Sequence, residues 1–516
     1  MRRALLLVLS LLACVALTAV ARRAANAPAT SDTAVIESYT LLASQGRLLL
    51  GAYSRFQWHH PGPLYFFLLA PFYRFAGDKT AGLHAGAVAI SIASMVVVFA
   101  VLMRRRPTLA VATSATLALL AWRASEALAS PWNPHVTLLP TLALVVVTAD
   151  VVAGRARMLP IVAILASLSG QAHIALMPSV VALGIVAFLR ALAGASVATE
   201  RSEWRSAMAA TGVVLAVVWA LPLYEQITGT PHGNLTELWE FFAHQVRHGQ
   251  PMAVAVSAWS DMFVGVLRPD FYVAHGWKFV ESPVRWAEWV SLGELAGLAA
   301  VVIVGMRRRD GFIVAFGSVL ILAACAALWS ATRVDEQMFD HDVFWIAGLG
   351  VLGLAVLLDA VVSLMPRSAG VPRSIAWSIC LVLLGIAATA SVRQLNDVVR
   401  RSNDPPADAR IARALADDLE TYMTKDRITR PLVKIDEDAW GYVAGAILDL
   451  QKRGRIVSVE EDWVVMFTPQ FRVTGREDAT IIVAMSPEHL RLVERGARLI
   501  SSHEPIYAHV ESVVAP

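Results

Sequence analysis

The sequence predicts a mainly α-helical, polytopic membrane protein of about eleven transmembrane helices, followed by a small α/β domain. Three observations carry this. The chain of 516 residues is 56% hydrophobic and only 16% charged, with a mean hydropathy of +0.56, whereas soluble domains run at about 45–50% apolar and about 25% charged. Apolar runs of roughly bilayer-crossing length recur up to residue 391. The composition then changes: residues 391–516 hold 17 Lys+Arg and 20 Asp+Glu, about 29% charged against about 12% before them.

The apolar runs lie near 4–22, 80–103, 108–127, 136–153, 157–171, 174–192, 206–223, 288–306, 311–330, 343–364 and 374–391. The first follows Arg2 and Arg3 and resembles a signal peptide, but its cleavage pattern is loose, and we read it as a retained anchor. Basic clusters at Arg2–Arg3, Arg104–Arg106, Arg155/Arg157, Arg190/Arg201/Arg205, Arg307–Arg309 and Arg367/Arg373 fall on one side of this map. That side is expected to be the cytoplasm of a bacterial inner or plasma membrane, with the N-terminus cytoplasmic. Only Arg22 and Arg23 stand against it. The opposite side receives loops 23–79, 128–135, 224–287 and 331–342, and the tail 392–516. The expected division is therefore a membrane domain over 1–391 and an extracytoplasmic α/β domain over 392–516.

Within the tail, 407–423 reads as an amphipathic helix with Ile411, Leu415, Leu419 and Met423 on one face. Pro431–Ile435, Val457–Phe467 and Thr480–Met485 read as strands, and Tyr442–Gly454 as a helix ending at a glycine. Ser486 can cap a helix over Pro487–Arg495. A net charge of +3 gives no case for nucleic acid. Cys14, Cys325 and Cys380 lie far apart in apolar runs and suit neither a disulfide framework nor a zinc site.

Polar residues concentrate at the outer ends of the spans. In the first outer loop Asp32 opens a stretch, Thr33–Leu50, that can form an interfacial amphipathic helix, where Asp32 can serve as its cap. Then come Arg55, Trp58, His59, His60 and Pro61-Gly62-Pro63, basic and aromatic next to a bilayer. They suit either an anionic head group or a simple interface anchor. Pro63 can start the next apolar helix. Glu126 precedes Ser130-Pro131-Trp132-Asn133-Pro134-His135; Trp132, Asn133 and His135 can stack on and hydrogen-bond a sugar, or form a tight turn in the aromatic belt. The acid-rich turn Arg333–Asp342 offers oxygen ligands for a divalent cation such as Mg or Mn, without a defined metal spacing. Gln171 and His173 read as hydrogen-bonded core groups. The loop 224–287, with Trp239, Trp259, Trp277 and Trp286, can cover a site or form a layer on the bilayer.

An Asp just after the first span, a helix on the membrane surface, and His60-Pro61-Gly62-Pro63-Leu64-Tyr65-Phe66 opening the next apolar segment resemble the GT-C glycosyltransferases, in particular the protein O-mannosyltransferase and aminoarabinose transferase group. Gly62 stands where that group has a proline, and Thr33 follows Asp32 where many members carry a second acid. The resemblance is clearest in the first third of the chain.

It implies transfer of a sugar from a polyprenyl-phosphate donor to a glycan, lipid or protein acceptor outside the cytoplasm, with inversion, and with Asp32 as general base. Glu37 and Glu126 are then the candidates for a secondary or acceptor-binding acid. Arg55, His59, His60 and Arg333 are the candidates to hold the donor phosphate, and Trp132, Asn133 and His135 the sugar. No resident metal is assigned. The competing classes are a transporter or lipid flippase, which would place ionisable groups at the midplane and show repeated halves, and a non-catalytic envelope assembly protein whose outer domain binds a ligand.

Overall fold

The computed structural model describes residues 29–229, 232–244, 249–268, 285–364 and 373–510, with Leu17 and Arg22. Nearly all of the expected first span, Arg2, Arg3, Arg23, Trp277 and Arg367 lie outside the described residues. In chain order the longer helices are α1 (Ser31–Ser44), α2 (Leu64–Phe75), α3 (Thr80–Arg105), α4 (Pro107–Arg123), α5 (Leu138–Val152), α6 (Leu159–Ala172), α7 (Met177–Ser196), α8 (Arg201–Val218) and α9 (Ala220–Thr228). There follow α10 (Asn234–His244), α11 (Met252–Phe263), α12 (Arg285–Arg308), α13 (Gly311–Ala331), α14 (Ile346–Leu364) and α15 (Arg373–Arg401). The chain divides into two compact units: Met1–Leu17 with Ala87–Leu395, and Thr18–Gly86 with Asn396–Pro516. The segment ahead of the apolar helix α3 is thus grouped with the charged tail.

In the first unit every expected span from 80–103 onward coincides with a helix or a broken pair of helices. Among the described residues, seven helices are long and apolar enough to cross a membrane, or eight if α8 and α9, bent by 47°, form one span. The centre is α5, buried on all sides from Leu138 to Val151 and packed against α6, α7, α13 and α14. Its sequence, LLPTLALVVVTADVV, is apolar on every face, as a helix surrounded by helices must be. By contrast α7, α12 and α15 turn outward leucines, isoleucines and valines such as Ile185, Leu292 and Val382, the faces a bilayer would cover. At one end of this unit the basic clusters find acids. Asp150, at the end of α5, pairs with Arg105 at 2.5 Å and Arg155 at 3.0 Å. Arg106 pairs with Asp310 at 2.7 Å and Asp359 at 2.5 Å. Asp310 also caps α13 by accepting from the Ile313 amide. The ends of α3, α5 and α14 and the start of α13 therefore share one side.

The second unit contains α1, α2, the first turns of α3, and the tail: α16 (Ala407–Lys425), β1 (Pro431–Ile435), α17 (Trp440–Lys452), β2 (Ser458–Val459), α18 (Glu461–Phe467), β3 (Ala479–Met485), α19 (Glu488–Glu494), β4 (Arg498–His503) and β5 (Ile506–Val510). The sheet order is β2-β1-β3-β5-β4, with β1 parallel to both neighbours and β5 antiparallel to β3 and β4. Helix α16 buries Leu415, Leu419 and Met423 as its periodicity requires, with Ile411 half-buried at the edge. The expected strand Val457–Phe467 is a correction: only Ser458–Val459 pairs, and Glu461–Phe467 is helical. Glu461 and Asp462 in its first turn favour a helix start, which the β-rich run behind them concealed. Helix α19 forms, but its N-cap is Pro487 rather than Ser486.

Helix α1 also differs from expectation. Where an interfacial amphipathic helix over 33–50 is expected, the helix runs only from Ser31 to Ser44 and is buried continuously from Ala34 to Ala43. Helices α2 and α17 pack against it. Burial of its polar positions is what the isolated segment could not reveal: Ser38 donates to Gln451 Oε1 at 2.7 Å, and Tyr39 donates to the Val465 carbonyl at 3.0 Å.

Candidate active site

Asp32 lies in the first turn of α1, where the helix dipole favours a carboxylate. It is not the cap, since the N-cap is Thr30. Half-buried, it accepts a hydrogen bond on Oδ1 from the Tyr53 hydroxyl at 2.5 Å. Burial, and secondarily the Asp32 carboxylate, push the Tyr53 phenol well above its usual ionisation range, so the proton stays on the phenol. Tyr53 is delivered by a tight hairpin. It pairs with His59 across the turn, Ser54 N–H donates to the Trp58 carbonyl at 2.8 Å, and His60 N–H donates to the Ala52 carbonyl at 2.8 Å. Gly51 is required here because a Cβ would collide with the His60 carbonyl.

Glu37, five residues further along α1, is fully buried and enclosed by donors. Tyr73 donates to it at 3.1 Å, Thr80 at 2.7 Å, and Lys452 forms an ion pair with it. A buried carboxylate satisfied by three donors is held as part of the core, and this geometry gives Glu37 a structural task.

The other first-loop residues separate by exposure. His59 is buried, and its Nε2 contacts the Val465 carbonyl at 2.8 Å. Burial drives its pKa down to about 4, so the ring is neutral near pH 7 and donates from Nε2. His60 is buried edge-on to Trp58. Arg55 is exposed, with its guanidinium 4.8 Å from the Phe56 ring centroid. Of the three, Arg55 is the charged group that solvent reaches.

The first unit holds a second group. Trp132 meets His135 edge-on, with centroids 4.9 Å apart, and lies 4.9 Å from His341. Phe339 stacks on the His341 ring at 5.4 Å, and Asp340 and Asp342 flank that ring at 3.9 and 3.7 Å. Asn133 is buried and donates to the Ala172 carbonyl at 2.9 Å, and His135 is buried against Phe344. Of the three residues proposed for sugar stacking, Trp132 alone is partly exposed. Glu126 is exposed in the first turn of the short helix Ser125–Ala129. Arg333 is exposed, 5.0 Å above the Trp329 ring. Gln171 is buried and donates to the Val218 carbonyl at 2.9 Å. His173, between two spans, is buried, and that burial lowers its pKa to about 4. No three His, Cys, Asp or Glu side chains converge as metal ligands among the described residues, and that includes the 333–342 turn considered for Mg or Mn.

Sequence reasoning named neither Tyr53 nor Lys452 as part of a site. A tyrosine in an aromatic loop carries no signal of its own. A lysine near the end of α17 reads as a surface residue until its carboxylate partner is placed beside it.

The path of the chain defines a class of fold: it is a GT-C-like polytopic membrane fold. The particular likeness is to ArnT from Cupriavidus metallidurans. The crystal structure of that protein bound to undecaprenyl phosphate matches over 99% of both chains, with a TM-score of 0.52 at 13% identity. The apo form matches over 99% of this chain and 98% of ArnT, with a TM-score of 0.54 at 11% identity. No protein-family model and no curated protein matches the sequence.

Proposed function

We propose that this protein is a membrane glycosyltransferase that moves a sugar from a polyprenyl-phosphate donor to an extracytoplasmic acceptor. The observation that carries the reading is the likeness over 99% of the chain to a transferase fold whose solved form holds undecaprenyl phosphate. Asp32 is the general base. A sugar or similar hydroxyl is a weak nucleophile near neutral pH, and a positioned carboxylate takes its proton as the oxygen attacks the anomeric carbon. The bond from that carbon to the lipid phosphate breaks on the opposite face, so configuration inverts. The departing phosphate needs a cation rather than an acid. Arg55 and Arg333 are the exposed candidates for that task, and Trp132 is the candidate platform for the sugar. Glu126 is the remaining exposed acid for the acceptor. A bacterial inner membrane with the tail on the outer side is the setting that the basic clusters favour.

The test uses purified protein in nanodiscs with a panel of polyprenyl-phosphate sugars. Thermal stabilisation should identify a donor bound by both wild type and Asp32→Asn. Release of lipid phosphate on adding acceptor should be about 10²–10⁴-fold slower in Asp32→Asn, the usual scale for a general base. Equal turnover in the two would reject Asp32 as the base. No binding across the panel would reject the donor class and favour the transport or assembly readings.

A further inference from the structure

The C-terminal α/β domain has contacts concentrated on the two elements that hold Asp32 and its partner. Within the second unit, Gly441 and Gly445 sit one turn apart on the face of α17 that meets the start of α1. A Cβ on Gly445 would come 2.5 Å from the Ala29 carbonyl oxygen, and one on Gly441 would come 2.5 Å from Ser31 Oγ. Ala29 and Ser31 flank the N-cap of the helix that carries Asp32. Further along the interface Gln451 accepts from Ser38, and Lys452 pairs with Glu37. The Val465 carbonyl at α18 receives both Tyr39 of α1 and His59 of the hairpin that presents Tyr53. One tail carbonyl therefore pins both halves of the Asp32–Tyr53 pair.

We propose that the tail domain positions the acid: Gly441, Gly445, Gln451, Lys452 and the Val465 carbonyl fix where α1 places Asp32 and where the hairpin places Tyr53. This rests on the reading of Asp32 as general base. It gives the tail a task in the transfer step rather than in acceptor capture. A displacement of about 1 Å in a reacting group can cost about 100-fold in rate. A methyl on Gly445 would meet the Ala29 carbonyl oxygen and Ala412 Cβ, so the start of α1 must shift, whereas one on Gly441 meets only the Ser31 hydroxyl, which can rotate aside.

The experiment compares Gly441→Ala, Gly445→Ala, Ser31→Gly and the double variant Gly441→Ala/Ser31→Gly. Alanine is the better helix former, so neither glycine substitution weakens α17 itself. Ser31 has φ of +51°, which glycine adopts without strain. Gly445→Ala, facing a main-chain carbonyl, should lower kcat by about 10- to 100-fold, leaving KM for the lipid donor within about 2-fold. Gly441→Ala should cost less than about 2-fold with Ser31 present, because the hydroxyl turns aside, and no more in the Ser31→Gly background. Wild-type kcat in Gly445→Ala overturns the proposal. So does a loss confined to KM. Asp32→Asn is assayed alongside; if it stays active, the base assignment fails on its own account. An activity-free readout is carbodiimide labelling of Asp32 followed by peptide mass mapping. Labelling should rise in Gly445→Ala as the acid leaves Tyr53, and unchanged labelling counts against the proposal.

Discussion

A carboxylate that accepts a hydrogen bond from a phenol at 2.5 Å is held in one orientation. Tyr53→Phe should therefore lower kcat by about 10-fold, as a reacting group loses its fixed position, with KM for the donor within about 2-fold. Wild-type kcat in Tyr53→Phe would show that Tyr53 does not act on Asp32. His59 makes a different prediction. Its folded pKa of about 4 lies below the unfolded value of about 6.5, so its contribution to stability is complete above pH 6.5 and is lost as pH falls toward 4. The loss is on the order of 3 kcal/mol across that window. Thermal melts of wild type and His59→Gln should converge as pH drops from 7 to 4.5; a constant gap between them would contradict a neutral buried ring.

Element by element, sequence and structure agree where one period dominates. The long apolar helices of the first unit, strand β1 and helix α16 follow directly from hydrophobic run length and spacing. Agreement ends where two readings share one composition. Trp463–Phe467 looks like a strand and is a helix, because the acids before it favour a helix start. The hairpin β4–β5 escaped notice because β4 is an edge strand with exposed Arg498 and Leu499, lacking a clear apolar alternation. Asp32 could be found because its motif sits close by in sequence, whereas Lys452 lies beyond any local pattern. The Glu37–Lys452 pair gives the element-scale prediction. Lys452→Met leaves a fully buried carboxylate without its cation and should cost about 3–5 kcal/mol. Adding Glu37→Gln should restore part of that stability, measured by chemical denaturation. If Lys452→Met melts like wild type, the ion pair is not what holds α1 to α17.

At the scale of the whole molecule, the ion pairs of Arg105 and Arg106 gather arginine-rich helix ends on one side of the first unit, and we propose that this side faces the cytoplasm. In intact cells an impermeant thiol reagent should then label a cysteine introduced at Arg476 and spare one at Arg104, which should react only after lysis. Labelling of both from the same side would refute the topology.

The second unit is assembled from chain segments on either side of the entire run from Ala87 to Leu395. During synthesis α1 emerges early, yet the helix that covers it, α17, is made only after α15. The buried face of α1 must therefore await a partner while the intervening spans are inserted. Closing so long a loop costs little extra at equilibrium, since the penalty grows only with the logarithm of loop length. It is a matter of timing: a ribosome that stops before residue 440 leaves α1 without the helix that covers it. The arrangement makes synthesis of the tail a condition for burying the first helix of its own unit.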